Sequence, residues 1–173
     1  MEFYPANVTQ FEQVKLFYWD LIDAMQHQTS ATNWKKGIFP SNEFLMSSIQ
    51  NKELYLLSEN GKILASVILN NHANESYQDV AWGKVVDDKD VLIPHALGVN
   101  PAVQGKGISK IMVQSIIELA RQTGKKAIRL DVFGSNYVAE NLYKNQGFKF
   151  VESKQMLYDG TTKAEYHLYE MNL

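Results

Sequence analysis

The stretch Val91 to Lys110, VLIPHALGVNPAVQGKGISK, decides how the rest of the chain is read. Its first nine residues, Val91 to Val99, are an apolar run rich in Val, Ile and Leu, the composition of a buried strand. The chain then turns at Asn100-Pro101 and passes through a glycine loop, Gln104-Gly105-Lys106-Gly107. From there Ile108, Ile111, Met112, Ile116, Leu119 and Ala120 recur at helical spacing. A strand, a glycine loop and a helix start in this order make an anion site. The first N–H groups of a helix have no intrahelical acceptor, and the helix dipole leaves partial positive charge there. Glycine has no Cβ, so a phosphate can approach its backbone closely. A phosphate-bearing cofactor is therefore expected on residues 104 to 109.

Two phosphate motifs fail on this loop. A Walker A loop needs a Gly five positions before its Gly-Lys, followed by Ser or Thr; position 100 is Asn, and Gly107 follows Lys106. The dinucleotide fingerprint needs Gly or Ala at position 110, which is Lys. The spacing of Gln104, Gly107 and Ser109 instead resembles the pyrophosphate loop of the GNAT superfamily of N-acetyltransferases. That loop runs Gln/Arg, any, any, Gly, any, Gly/Ala, so Ser109 is a departure, though a small one. A second stretch, Asn136-Tyr137-Val138-Ala139-Glu140-Asn141-Leu142-Tyr143-Lys144-Asn145-Gln146-Gly147-Phe148, is similar to the family's other hallmark. All six fixed positions, Asn, Ala, Leu, Tyr, Gly and Phe, are present. The resemblance is motif-specific from about Leu92 to Phe150 and holds as a pattern elsewhere.

At 173 residues the chain is expected to form one domain, 1–173, since domains commonly run ~100–200 residues. A formal net charge of −2 gives no electrostatic footprint for nucleic acid. No apolar run approaches the ~20 residues of a membrane span, and MEFYPANVTQ lacks the basic start of a signal peptide. With no cysteine there is no disulfide framework, no thiolate metal site and no Cys nucleophile. His27, His72 and His167 stand apart with no ligand spacing, so no metal is expected. A cytoplasmic protein is the simplest reading.

Several local signals place the remaining elements. Glu2 to Tyr4 reads as a first strand, and Thr9 with Glu12 as a capping box. The helix that follows carries Phe11, Val14, Leu16, Phe17, Trp19, Leu21, Ile22 and Met25 almost all round, which predicts burial on more than one side or a contribution to a pocket or dimer contact. Pro40-Ser41 begins a second helix with Glu43 in its first turn. Asn60-Gly61 between two apolar runs is a hairpin turn. Asp79 to Lys84 extends or follows the sheet, and the acids Asp87, Asp88 and Asp90 read as a solvated loop. Gly124 closes the long helix. Ala127 to Phe133 is a strand, and the tail alternates as a hairpin around Asp159-Gly160. The resulting order, β α α β β β α β α β β, matches the fold that the resemblance implies, a mixed twisted sheet of six to seven strands with helices on both faces.

The resemblance implies acetyl-coenzyme A as donor and a primary amine as acceptor. By the same matching, the backbone of Gln104, Gly105, Lys106, Gly107, Ile108 and Ser109 holds the pyrophosphate, and Leu97-Gly98-Val99 pairs with the pantetheine arm like an added strand. An N–H near Leu97 or Val99 serves the oxyanion. Tyr143 lies on the general-acid position, and Asn136 on one that contacts the cofactor. The family varies its base. His95 is the local candidate, because alternation puts His95, Leu97 and Val99 on one face and an imidazole titrating near ~6.5 suits proton work. The bland reading is a core histidine bonded to a carbonyl, and a strand bulge could reverse its face. Trp34 and Trp82 are candidate walls of the acceptor pocket or ordinary packing. The expected function is acetyl transfer to a small-molecule amine by direct attack. The alternatives are a protein or peptide N-acetyltransferase and a non-catalytic coenzyme A-binding sensor. The apolar first helix and aromatic last strand leave a homodimer open.

Overall fold

The structure, a computed structural model, describes residues 1–26, 34–157 and 163–173. The predicted turn at Asp159-Gly160, together with His27, lies outside those residues. Among the described residues there are seven strands and four α-helices: β1 (Glu2–Pro5), α1 (Phe11–Met25), α2 (Asn42–Gln50), β2 (Leu54–Glu59), β3 (Lys62–Asn70), β4 (Val91–Val99), α3 (Ile108–Gln122), β5 (Ala127–Phe133), α4 (Tyr137–Asn145), β6 (Lys149–Leu157) and β7 (Lys163–Asn172). The sheet order is β1-β2-β3-β4-β5-β7-β6, mixed because β4 and β5 pair in parallel at Val91↔Ala127 and Leu92↔Ile128. This is the element order and fold class read from the sequence. The chain divides into two compact units, Met1–Leu69 with His95–Met112, and Asn70–Pro94 with Val113–Leu173. None of the described helices is long and apolar enough to cross a membrane.

The first unit is built on the β1, β2 and β3 antiparallel strands, with Glu59↔Lys62 closing the β2–β3 hairpin. Asn60 and Gly61 both take positive φ, 51° and 75°, as a two-residue hairpin turn of this kind demands. The start of the first helix differs from expectation. Asn7, not Thr9, caps the 3-10 turn Val8–Gln10 that leads into it, and Gln10 reaches back to the Asn7 N–H at 3.1 Å; α1 itself starts after Gln10 with no side-chain cap and with Glu12 in its first turn. Asn competes well for this position because its short amide oxygen meets the nearby N–H groups. Helix α1 also buries one stripe rather than its whole circumference. Val14, Phe17, Tyr18, Leu21 and Ile22 are buried at helical spacing, while Leu16 is 52% exposed. Trp19 is flanked by the Lys15 and Lys36 ammonium groups, 5.4 and 5.7 Å from its ring, an outward position for an aromatic. The stripe packs on Leu45 and Ile49 of α2, with Leu54, Leu56, Ile63 and Ile68 from β2 and β3. Ser41 caps α2 through Phe44 N–H at 3.1 Å.

The second unit pairs β5, β7 and β6 antiparallel. Strand β6 is continuous from Lys149 to Leu157, with a register shift between Phe150 and Glu152 that breaks its alternation. Residues 79–84 do not join the sheet. Trp82 donates from Nε1 to the Tyr77 carbonyl at 3.1 Å, and the Arg129 guanidinium stacks 4.6 Å from its ring. Arg129 also donates to the Lys84 carbonyl at 2.7 Å and pairs with buried Glu170 at 3.1 Å. A Cβ on Gly83 would come within 2.9 Å of Glu170 Oε2, so the segment lies close against that pair. Asp90 is not simply solvated: it pairs with Lys126 Nζ at 2.6 Å and its carbonyl accepts from Lys126 N–H at 2.8 Å. Gly124, at φ 71°, ends α3, with Lys125 N–H returning to the Ala120 carbonyl at 2.9 Å.

Candidate active site

In the first unit, Asn100 turns the chain out of β4. Its Oδ1 accepts from Ala102 N–H at 2.9 Å, and its Nδ2 donates to the Ile63 carbonyl at 3.1 Å. One 3-10 turn, Pro101–Val103, leads into the exposed residues 104–107. Gly105 and Gly107 stand at φ 76° and 79°, on either side of Lys106, and no atom lies within 4 Å of where a Cβ would stand on either. Left-handed residues alternating with an ordinary one turn successive N–H groups into a single concavity. Ile111 N–H closes the first helical turn on the Gly107 carbonyl at 3.2 Å. The N–H groups of Gly107, Ile108, Ser109 and Lys110 therefore have no acceptor within α3. An open backbone cradle at the positive end of a 15-residue helix fits a pyrophosphate.

The strand before this loop is shaped from beneath. Ala96 adopts φ 51°, and its carbonyl accepts from the buried Tyr18 hydroxyl at 2.8 Å. A carbonyl can only accept, so Ser66, 3.1 Å away, donates to the Tyr18 oxygen. Ala96 and Gly98 are buried, whereas His95, Leu97 and Val99 are half-buried. A Cβ on Gly98 would stand 2.5 Å from Leu21 Cδ2 and 3.4 Å from Phe17, so glycine here lets α1 lie on β4. His95 meets the Phe44 ring edge-on at 6.5 Å. Phe44, Phe39, Trp34 and Tyr18 continue as a chain of ring contacts at 6.0, 6.0 and 6.1 Å. The first unit thus holds the glycine loop, the Leu97–Val99 backbone, His95 and Trp34.

The second unit holds Asn136, Tyr143 and Trp82. Asn136 Oδ1 accepts from Ala139 N–H at 3.2 Å and so caps α4. Gly147, at φ 95°, ends that helix, and Phe148 N–H returns to the Tyr143 carbonyl at 3.1 Å. The Tyr143 ring is buried edge-on against Phe148 at 5.3 Å. Its hydroxyl makes no hydrogen bond to any described residue. Burial, and then the charge of Asp131, push its ionisation well above that of an ordinary phenol. Tyr143 therefore carries its proton throughout the neutral range. Trp82 is placed in the Arg129 and Tyr77 stack described above.

A network on α4 went unread in the sequence. Glu140, 6% exposed, accepts from His167 Nδ1 at 2.5 Å, from Tyr169 at 3.0 Å and from Lys144 at 2.9 Å. His167 Nε2 faces Glu165 Oε1 at 3.2 Å, so this histidine is not isolated. Two signals were available: the i,i+4 spacing of Glu140 and Lys144, and the alternation of Glu165, His167 and Tyr169 along one strand face. Among the described residues no group of three or more His, Cys, Asp and Glu is placed to hold a metal ion.

A family model, acetyltransferase (GNAT) family, matches residues 17–148. The chain belongs to the GNAT family, whose members are acetyl-CoA-dependent N-acetyltransferases. An uncharacterized N-acetyltransferase of Bacillus subtilis (strain 168), YdgE, is 27% identical over 130 residues, covering 72% of this chain and 77% of its own. Among solved structures, a GNAT-family acetyltransferase of Streptococcus agalactiae 2603 matches with a TM-score of 0.81 at 17% identity, over 99% of this chain and 95% of that one. The acetyltransferase yncA of Salmonella typhimurium, solved with its cofactor acetyl-CoA, matches with a TM-score of 0.69 at 15% identity, over 99% and 93%.

Proposed function

We propose that this chain moves acetyl from acetyl-CoA to the primary amine of a small molecule by direct attack in a ternary complex. The observation that carries it is Tyr143, a buried phenol on the acid position of the family motif, protonated at neutral pH and with its hydroxyl bonded to no described residue. Binding alone has no need of such a donor, which sets the catalytic reading above a sensor.

Bound acetyl-CoA supplies the acetyl group as a thioester. The N–H groups of Gly105, Gly107, Ile108 and Ser109 bind the pyrophosphate, and the Leu97–Val99 edge pairs with the amide arm. A backbone N–H at Leu97 or Val99 donates to the acetyl oxygen as it gains charge. His95 takes the amine proton as the C–N bond forms, directly or through a water, since alkylamines near ~10.4 are mostly protonated at neutral pH. Tyr143 donates to the sulfur as the C–S bond breaks. The chain has no cysteine, so no acetyl-cysteine step intervenes. The half-buried aromatic series beside His95 favours a compact apolar or cationic acceptor.

The test is coenzyme A release from acetyl-CoA against polyamines, amino acids, aminoglycosides and short peptides, with Tyr143→Phe and His95→Ala beside wild type. A small-molecule acceptor whose turnover falls by about 10²–10⁴-fold in Tyr143→Phe supports the reading. Turnover with peptides alone replaces the acceptor class, and turnover surviving His95→Ala moves the base to a water relay.

A further inference from the structure

We propose that Glu140 is the positioning residue for Tyr143: through His167 and Tyr169 it fixes helix α4 on strand β7 and so sets where the Tyr143 hydroxyl stands. This rests on the reading of Tyr143 as the proton donor to the leaving thiol.

Helix α4 has nine residues, too few to hold its shape by its own hydrogen bonds. Tyr143 cannot fix its own hydroxyl, which bonds to no described residue, and its ring contact with Phe148 lies in the chain just beyond the same helix. The position of the hydroxyl therefore follows the position of the helix. Apolar packing resists separation of a helix from a sheet, but it has little direction and tolerates sliding. Directed bonds do not.

Glu140 supplies those bonds one turn before Tyr143, on the neighbouring position of the helix surface. Its Oε1 takes His167 Nδ1 at 2.5 Å and its Oε2 takes the Tyr169 hydroxyl at 3.0 Å. His167 and Tyr169 are two residues apart on β7 and share a face. Each carboxylate oxygen thus holds a different rung of one strand, which fixes both the translation and the rotation of the helix. Strand β7 is itself in register with β5 through His167↔Val132 and Tyr169↔Leu130. The histidine is fixed on its other side by Glu165 at 3.2 Å. A buried carboxylate so fully matched specifies one geometry where an apolar residue would allow several.

The test compares steady-state acetyl transfer in Glu140→Gln, Tyr143→Phe and the double variant, with melting temperatures alongside. Expected is a fall in kcat of about 10- to 100-fold in Glu140→Gln, as for a misplaced catalytic group. KM for acetyl-CoA stays within about twofold, because binding is not what is lost. In the Tyr143→Phe background Glu140→Gln adds less than about twofold, since it acts through a hydroxyl no longer there. His167→Asn, which keeps a donor toward Glu140, retains most of the rate, while His167→Ala falls with Glu140→Gln. The histidine pair carries the same comparison if Glu140→Gln does not fold. Multiplying effects in the double variant, or a wild-type kcat in Glu140→Gln and His167→Ala, overturn the proposal. A wild-type rate in Tyr143→Phe alone removes instead the reading on which it rests.

Discussion

The Tyr18 hydroxyl, buried in the first unit, donates to the carbonyl of Ala96 at 2.8 Å and holds that residue in the left-handed region at φ 51°. A left-handed L-residue costs about 1–2 kcal/mol, so the bond offsets strain built into β4 beside His95. Burial pushes the phenol's ionisation well above its usual range, with Ser66 opposing, so Tyr18 stays a donor. Tyr18→Phe leaves a buried carbonyl and the Ser66 hydroxyl unmatched, at a cost of about 1–3 kcal/mol. We expect a lower melting temperature. We also expect a drop in kcat/KM measured well below that temperature, where the fraction unfolded is negligible. Unchanged kinetics there would mean that the Ala96 conformation serves only the fold.

Gly98 and Leu21 form a second pair in the same place. The Cβ of Gly98→Ala would stand 2.5 Å from Leu21 Cδ2. Overpacking of this kind costs about 1–3 kcal/mol. Leu21→Val removes the obstructing methyl, so the double variant should recover at least about 0.5 kcal/mol of the summed losses. Urea unfolding of the four proteins gives the coupling directly. Strict additivity would show that the strain is relieved elsewhere.

The glycine loop behaves differently, because no atom lies within 4 Å of a Cβ placed on Gly105 or Gly107. Alanine at either position meets only the conformational penalty of a positive φ, about 1–2 kcal/mol. The exposed loop can avoid that penalty by rotating its N–H groups out of the concavity. Gly107→Ala should therefore melt near the wild-type temperature yet bind acetyl-CoA at least about tenfold more weakly by calorimetry. Equal affinity in both alanine variants would place the pyrophosphate elsewhere.

What was legible in the sequence was local. The Asn60-Gly61 hairpin, the Ser41 cap, the Gly124 stop and the helix start after Gly107 each depend on the φ preference or hydrogen bonds of a few neighbouring residues. Both family motifs are of that kind too. Contacts between distant positions left no such mark. Tyr18 and Ala96 are 78 residues apart, and Glu140 and His167 are 27 apart. The periodicity of α1 misled for a related reason: an apolar residue at Trp19 reads as core, but Lys15 and Lys36 cover it with charge. Trp82 likewise reads as a free aromatic until its cation, Arg129, is folded against it.

Glu140 yields a prediction on acid stability that is separate from catalysis. Burial pushes its carboxyl up, but hydrogen bonds from Lys144, His167 and Tyr169 together bring it below the ordinary value. The groups facing it are those three, with Glu165 behind the histidine. Its bond to Glu140 in turn holds the Lys144 ammonium above its usual value, so that partner stays charged in acid. A carboxyl lowered in the folded state stabilises the fold above its unfolded value, near ~4.3. That stabilisation is lost as pH falls through the lower folded value. Glu140→Gln removes the titrating group. Wild type should then be more stable than the variant at pH 7 in urea unfolding, and the gap should narrow steadily below about pH 4. A gap that stays constant between pH 7 and the lowest pH at which the protein folds would show that the Glu140 network contributes through packing and not through its charge.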